Sequence, residues 1–204
     1  MAAGLVLQVA GPLPVEALRS SQPDSEYAGV WLERWEAKPV AAPSAAPGIF
    51  ERKLLRTHSD TLTSLAQEAG GKRLLVVVAK GNYCPVCLSQ ILRLERHSAR
   101  LAQLGARLVG LTVDSPASNQ KARKKHGVTS GLLSDASTRV VRALGLWSPE
   151  VQHPTPAIVL FDECGSEAGR WMGRYPGHRP DAAVWEKLET LSKNPPRCSA
   201  SPNT

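Results

Sequence analysis

Apolar and polar positions alternate along the chain in patterns that change repeatedly between strand and helix. Three short runs are apolar on both faces, as buried strands are, and cover residues 74–79, 107–113 and 157–162. Apolar residues at helical spacing follow the first run over residues 85–104, and Gly105 stands where a helix-ending glycine is expected. Weaker patterns predict further strands at residues 49–55, 131–133 and 169–173, and helices at residues 60–69, 118–126, 140–144 and 181–191.

The order of these elements predicts an α/β domain with a central, mostly parallel sheet flanked by helices on both faces. We divide the chain into an N-terminal extension with a Pro/Ala-rich linker (1–48), this domain (49–193) and a disordered tail (194–204). Within the extension, residues 27–35 have the spacing of a short amphipathic helix, although a partly ordered extension explains them equally well.

Composition and charge narrow the possible partners of the 204-residue chain. The formal net charge is +7, and the densest basic cluster lies at residues 121–126 on a predicted helix. We interpret this cluster as a solvated helix face and expect no nucleic-acid partner, because no nucleic-acid motif accompanies it.

Membrane and export signals are weak in this sequence. No apolar run approaches the roughly 20 residues that a membrane-spanning helix needs, so we expect no membrane association. The N-terminus lacks the basic start and long apolar centre of a secretory signal, which predicts a cytoplasmic protein.

The candidate chemistry lies in the sequence Cys84-Pro85-Val86-Cys87, directly after the first buried strand. Cys84 occupies the predicted N-cap of the following helix, where unpaired N–H groups and the helix dipole favour a thiolate. Pro85 suits the first helical position because its missing N–H costs nothing there. Cys87, three residues on, is close enough to form a disulfide with Cys84, so the pattern predicts a catalytic dithiol cycle.

Half of a zinc site is the alternative interpretation of this cysteine pair. Structural zinc needs about four ligands, usually from a second pair, and Cys164 and Cys198 are far apart in sequence. We therefore expect neither a metal nor another cofactor. We interpret Cys164, in a predicted turn, as a bystander rather than a second resolving thiol, and Cys198 as an incidental exposed thiol.

Thr155-Pro156 precedes the third buried strand and is a second candidate for the site. Proline is common at the first residue of a strand, which would make it structural. Alternatively, a cis proline packed against the cysteines would leave backbone groups free to hold an extended substrate. Pro85, Thr155 and Pro156 are thus the predicted substrate-binding residues.

Several of these segments resemble the thioredoxin superfamily and, within it, the peroxiredoxin-like alkyl hydroperoxide reductase / thiol-specific antioxidant proteins. The similarity extends over residues 50–190 and is carried by residues 71–72, 74–87, 108–115, 133–135, 139–145 and 155–162. The resemblance implies a thioredoxin-like fold, a redox-active centre and an antioxidant oxidoreductase.

The resemblance leaves the roles of the two cysteines open. Thioredoxin-type members attack with the first cysteine, which corresponds to Cys84, and resolve with the second. The peroxiredoxin pattern instead makes Cys87 the peroxide-reactive residue, but Cys84 then stands where that family has a hydroxyl. The arginine that peroxiredoxins carry near the later strand has no evident counterpart, and Arg139 and Arg142 are interpreted as helix-surface residues.

Three functions follow from the sequence. The first is a thiol-dependent oxidoreductase that cycles Cys84 and Cys87 against a disulfide-containing protein or small thiol. The second is a peroxiredoxin-type peroxidase that acts on hydroperoxides through Cys87. The third is a non-enzymatic binding protein on a thioredoxin-like scaffold.

Overall fold

The computed structural model of the chain describes residues 44–172 and 181–198. The helix predicted at residues 27–35, the first half of the linker (39–43) and residues 173–180 and 199–204 lie outside this part. The strands of the described part are β1 (Leu55–Arg56), β2 (Leu62–Thr63), β3 (Arg73–Val78), β4 (Ala106–Thr112), β5 (Gly131–Ser134), β6 (Trp147–Ser148), β7 (His153–Pro154), β8 (Ala157–Phe161) and β9 (Glu167–Met172). Its helices are α1 (Leu65–Ala69), α2 (Pro85–Glu95), α3 (Ser98–Gln103), α4 (Pro116–His126), α5 (Arg139–Ala143) and α6 (Asp181–Lys193).

One sheet organises the described residues, with its seven strands in the order β2-β1-β5-β4-β3-β8-β9. The central strands β5, β4 and β3 are parallel, whereas β8 and β9 on one side and β1 and β2 on the other add antiparallel pairs. The predicted α/β fold with a central parallel sheet is confirmed, and the antiparallel strands are confined to its two margins.

The core is divided by β3, whose residues alternate between two faces. Leu74, Val76 and Val78 pack with α1 and α5 on one face. Leu75 and Val77 pack with α2, α3, α4 and α6 on the other. Residues 74–78 of β3 are all buried, as their apolar run predicts for a strand covered on both sides. Arg73 at the start of the strand is buried as well, which the run does not predict.

The helix predicted over residues 85–104 is two helices, α2 and α3, separated by Arg96 and His97. The backbone of His97 leaves the helical region with ψ at 25°, and its ring meets the Trp185 ring edge-on at 5.5 Å. Both segments retain the same apolar period, which is why the sequence pattern alone does not mark the break.

The segment before β3 also differs from the prediction. Of the expected strand at residues 49–55 only Leu55 belongs to β1, and Ile49 and Phe50 are buried in a turn. The helix expected from Ser59 or Asp60 begins later, because Ser64 is its N-cap and accepts a hydrogen bond from the N–H of Gln67 at 3.1 Å.

Asp135 is a buried carboxyl group that organises the start of α5. Its Oδ2 accepts the N–H of Val141 at 2.8 Å, and the Ser137 hydroxyl donates to its Oδ1. Burial raises the pKa of Asp135 above its ordinary value of 3.8, and these hydrogen bonds only partly oppose the rise.

The raised pKa of Asp135 predicts a pH dependence of stability. Protonation contributes stability that is complete below 3.8 and is lost as the pH rises through the higher folded-state pKa. We expect the free energy of unfolding of the wild type, relative to Asp135→Asn, to fall as the pH rises from 3.8 through the higher folded-state pKa. Urea unfolding of both proteins at a series of pH values measures this difference, and a constant difference would contradict the prediction.

No helix in the described ranges is both long enough and apolar enough to cross a membrane.

Candidate functional site

The Cys84–Cys87 pair lies where β3 leads into α2. Ala79 extends the pairing of β3 by donating to the carbonyl of Leu111 at 2.9 Å, and Cys84 donates its N–H to the carbonyl of Gly81 at 3.1 Å. Cys84 is the N-cap of α2 with extended backbone angles, and Pro85 follows in the first turn. The predicted helix start is therefore where the sequence places it.

The two sulfurs of this pair are joined in a disulfide, with the Cα atoms 5.4 Å apart. Cys84 Sγ also accepts the backbone N–H of Cys87 at 3.4 Å, so a helix N-terminal donor points at the first sulfur. Cys84 is 7% exposed and Cys87 2%, and both pack with Ala79. After reduction, the same N–H would stabilise a thiolate on Cys84 more directly than one on Cys87.

Exposed side chains flank the buried cysteines in sequence. Tyr83 is 65% exposed, and Pro85 and Val86 are also exposed. A Cβ at Gly81 would overlap the Tyr83 ring as it lies here, so a larger residue at this position would displace the exposed tyrosine. Sequence reasoning singled out Pro85 but missed Tyr83 and Val86, whose exposure is not visible in an apolar residue type.

A polar network holds the loop that carries Cys84. The N–H of Asn82 donates to Asp114 Oδ2 at 2.7 Å, and its side-chain amide donates to Ser118 Oγ at 2.8 Å and Asn119 Oδ1 at 3.1 Å. Asn119 is fully buried and also accepts from the Thr112 hydroxyl at 3.0 Å. This network joins the loop to the carboxyl end of β4 and the first turns of α4.

Sequence reasoning did not identify Asn82, Asp114 and Asn119 as part of the site. One signal was available, since Asp114 closely follows β4 just as Cys84 closely follows β3. The two strands are parallel neighbours, with Val78 paired to Leu111, so their carboxyl ends meet at one edge of the sheet.

Thr155 and Pro156 reach the same edge from β8. Ala157 pairs with Val78, which places Pro156 beside the end of β3, where the cysteine loop begins. Both residues are half-buried, and Thr155 donates its N–H to the carbonyl of Leu146 at 2.7 Å. Every peptide bond of the described residues is trans, so the cis-proline alternative is wrong.

Two further expectations concern groups away from the pair. Arg139 and Arg142 are exposed on α5, and Arg142 stacks on the Trp147 ring at 4.7 Å, which agrees with helix-surface roles. The described residues contain no group of three or more His, Cys, Asp or Glu side chains that could hold a metal ion, so nothing there adds ligands to the zinc alternative.

Cys164 and Cys198 are not the unpaired thiols that the sequence analysis assumed. They form a second disulfide, with Cα atoms 5.2 Å apart and a sequence separation of 34. The interpretation of Cys198 as an incidental exposed thiol is therefore wrong. That Cys164 is a bystander to the Cys84–Cys87 pair, rather than a second resolving thiol, stays a prediction. Tertiary structure brings together the β8–β9 turn and the segment after α6, and the spacing of the cysteines gave no sign of it.

Comparison with known proteins places this geometry in a family. The AhpC/TSA family profile matches residues 45–166, which include the Cys84–Cys87 pair and all strands from β1 to β8. No curated protein matches the sequence.

Solved structures share the fold at low sequence identity. A bacterioferritin comigratory protein of Xanthomonas campestris superposes with a TM-score of 0.64 at 20% identity, covering 74% of this chain and 99% of its own. The peroxidoxin BcpB of Mycobacterium tuberculosis gives 0.60 at 17% identity, covering 69% and 91%. AhpC of Mycobacterium tuberculosis gives 0.59 at 16% identity, covering 66% and 77%.

The family profile covers more than half of the chain, and the structure provides a disulfide at the start of a helix in a thioredoxin-like fold. The chain therefore belongs to the AhpC/TSA family and is a thiol-dependent oxidoreductase.

Proposed function

We propose that Cys84 and Cys87 carry this activity by cycling between dithiol and disulfide, with Cys84 as the attacking sulfur. The observation that carries the proposal is the hydrogen bond from the Cys87 N–H to Cys84 Sγ at the N-terminus of α2. A thiolate at Cys84 gains this donor and the helix dipole, whereas Cys87 lies within the first turn.

The cycle balances as two thiol–disulfide exchanges. The Cys84 thiolate attacks one sulfur of a substrate disulfide, which forms a mixed disulfide and releases the first substrate thiolate. Cys87, as its thiolate, then attacks Cys84 Sγ, which releases the second substrate thiolate and leaves the enzyme as the disulfide seen here. Both substrate thiolates take up protons, and an external thiol must reduce the enzyme before the next cycle.

The exposed apolar rim supports a protein or small disulfide as partner. The exposed Tyr83, Pro85 and Val86 are next to the cysteines in the chain, and Thr155 and Pro156 lie at the same edge of the sheet. We assign substrate binding to this rim. In the proposal, the enzyme disulfide is reduced either by a protein whose own two thiols become a disulfide or by a small thiol.

Hydroperoxide reduction is the second candidate, and the match to the AhpC/TSA family favours it. The solved bacterioferritin comigratory protein is described as having alkyl peroxide reduction activity. In this cycle a thiolate attacks the O–O bond and becomes a sulfenic acid while an alcohol leaves, and the second thiol then forms the disulfide and releases water. The peroxiredoxin pattern assigns the first step to Cys87.

A trapping experiment tests which sulfur attacks. In a Cys164→Ser/Cys198→Ser background, the reduced protein is mixed with 5,5′-dithiobis(2-nitrobenzoate). With both active-site cysteines we expect two thionitrobenzoate ions per chain, because Cys87 resolves the first adduct. With Cys87→Ser we expect one ion and a stable adduct on Cys84. Rapid labelling of Cys87 in Cys84→Ser, with Cys84 inert in Cys87→Ser, would overturn the assignment.

We also propose a cytoplasmic location, because a dithiol that must be reduced after each cycle is maintained where thiols are kept reduced. The Cys164–Cys198 disulfide argues in the other direction, because structural disulfides persist mainly in oxidising compartments. Cell fractionation, with detection by an antibody to the protein, distinguishes a cytoplasmic location from an oxidising compartment.

A further inference from the structure

The second disulfide joins two parts of the chain that have no role in the site described above. Cys164 lies in the turn between β8 and β9, and Cys198 lies beyond the end of α6. Cys164 is half-buried, and Cys198 is exposed. A thiol in solution can therefore approach the Cys198 sulfur without unfolding the sheet.

The two disulfides lie at opposite ends of the sheet. Strands β3 and β8 are antiparallel, with Ala157 paired to Val78 at the end near Cys84 and Phe161 paired to Leu74 at the other. The four residue steps from Leu74 to Val78 correspond to roughly 13 Å along the strand, and each disulfide lies beyond one end of this span. Direct sulfur exchange between the pairs of one chain is therefore excluded in the folded state.

The turn presents Cys164 in a fixed position. Asp162 Oδ1 accepts the N–H of Cys164 and the N–H of Ser166, both at 2.9 Å. Gly165 adopts a φ of +77° in this turn, and a Cβ there would collide with the Phe50 ring. This half of the pair needs no rearrangement to form or lose the bond.

Arg73 keeps the other half close, whether or not the disulfide is present. Its guanidinium donates to the carbonyl of Leu191 near the end of α6 at 2.8 Å, and it pairs with Glu163 beside Cys164. This ion pair holds the end of α6 against the turn, which gives the two sulfurs a high effective concentration.

The residues between α6 and Cys198 depend on the disulfide itself. Asn194 donates its N–H to the carbonyl of Thr190 at 3.0 Å. Residues 195–198 make no hydrogen bond to any other described residue, so the disulfide of Cys198 holds this segment. Loss of the S–S bond would therefore leave this segment without a fixed position, while Arg73 would still hold α6.

We propose that Cys164–Cys198 is a second redox centre, reduced by low-molecular-weight thiols independently of Cys84–Cys87, and that its reduction releases the segment after α6. A thiolate attacks the exposed Cys198 sulfur, the S–S bond breaks, and Cys164 leaves as a thiolate that takes up a proton. A second thiolate attacks the mixed disulfide, which frees Cys198 and forms the disulfide of the two small thiols. Oxidised glutathione reverses both steps.

The test uses Cys84→Ser/Cys87→Ser, in which the second pair supplies both remaining cysteines. The folded protein is equilibrated in a series of glutathione buffers of different redox potential. Its free thiols are then alkylated, and the number of alkyl groups is determined by mass spectrometry. The same samples are treated briefly with trypsin, which can cleave after the exposed Arg197 in the segment beyond α6. We expect both thiols to appear together in one two-electron step. Over the same step we expect cleavage after Arg197 to accelerate at least about tenfold.

Cys198→Ser in the same background is the matched control, and we expect fast cleavage that does not respond to the buffer. Three results would overturn the proposal: thiols that stay unpaired in oxidised glutathione, a disulfide that resists reduced glutathione until urea unfolds the domain, or reduction without faster cleavage. Because this protein lacks Cys84 and Cys87, none of these results bears on the function proposed for that pair.

Discussion

Replacement of Cys84 by serine is expected to slow the reduction of a protein disulfide by about 1,000-fold or more. Serine keeps the size and the N-cap position but replaces a thiolate with a hydroxyl that stays protonated near neutral pH. The N–H of Cys87, which points at Cys84 Sγ, then has no developing charge to stabilise. Single-turnover reduction of insulin disulfides, followed by alkylation and mass analysis, measures the loss.

Cys87→Ser separates the two steps of the cycle. Because it retains Cys84, we expect the first exchange to proceed within about tenfold of the wild-type rate and the mixed disulfide to accumulate. Cys164→Ser/Cys198→Ser removes two cysteines from the opposite end of the sheet and is the matched control, with unchanged single-turnover rates.

Peroxide consumption by the same variants distinguishes the second candidate function. The dithiol proposal expects little peroxide turnover in any of them. If peroxide turnover survives in Cys84→Ser and is lost in Cys87→Ser, Cys87 is the peroxide-reactive residue and the assignment of Cys84 as attacking sulfur is wrong. Circular dichroism of each variant must first show an intact fold.

Replacement of Arg73 by methionine is expected to lower the free energy of unfolding by about 3 kcal/mol. The arginine is 5% exposed, donates to the carbonyls of Leu104 at 2.6 Å and Leu191 at 2.8 Å, and pairs with Glu163. Methionine fills much of the volume but leaves a partly buried carboxylate and two carbonyls without their donor. Urea unfolding under non-reducing conditions measures the change.

Arg56→Met is the control for Arg73→Met. Arg56 pairs with Asp60 at 3.1 Å, but both side chains are more than half exposed, and such pairs contribute at most about 1 kcal/mol. Equal losses in the two variants would contradict a special role of Arg73. Greater sensitivity of Arg73→Met to reducing agent would follow from its position beside the second disulfide.

The sequence predicted the parts of this protein that depend on short segments. The run of residues 74–79, the cysteine pair and Pro85 each act within a few residues, so strand β3, the N-cap at Cys84 and the start of α2 are as predicted. The order of strands and helices was sufficient for the α/β fold, because parallel neighbours require crossover helices.

Features that require distant residues were beyond the sequence pattern. The pairing of Cys164 with Cys198 spans 34 residues, and the contact between Arg73 and Glu163 spans 90. A basic residue at the start of a strand is ordinarily exposed, so nothing in the sequence marked Arg73 as buried. Asn82 and Asp114 are 32 residues apart and meet because β3 and β4 are parallel neighbours.

The sequence by itself determined the group that we propose to be reactive, since a helix N-terminus and two cysteines three residues apart are local properties of the chain. Only the tertiary structure decided which residues lie near that group and which features, such as the second disulfide, lie elsewhere in the fold. The exposed Tyr83 rim, the Asn82 network and the second disulfide depend on how strands and helices pack, and packing brings together residues whose separation along the chain carries no signal.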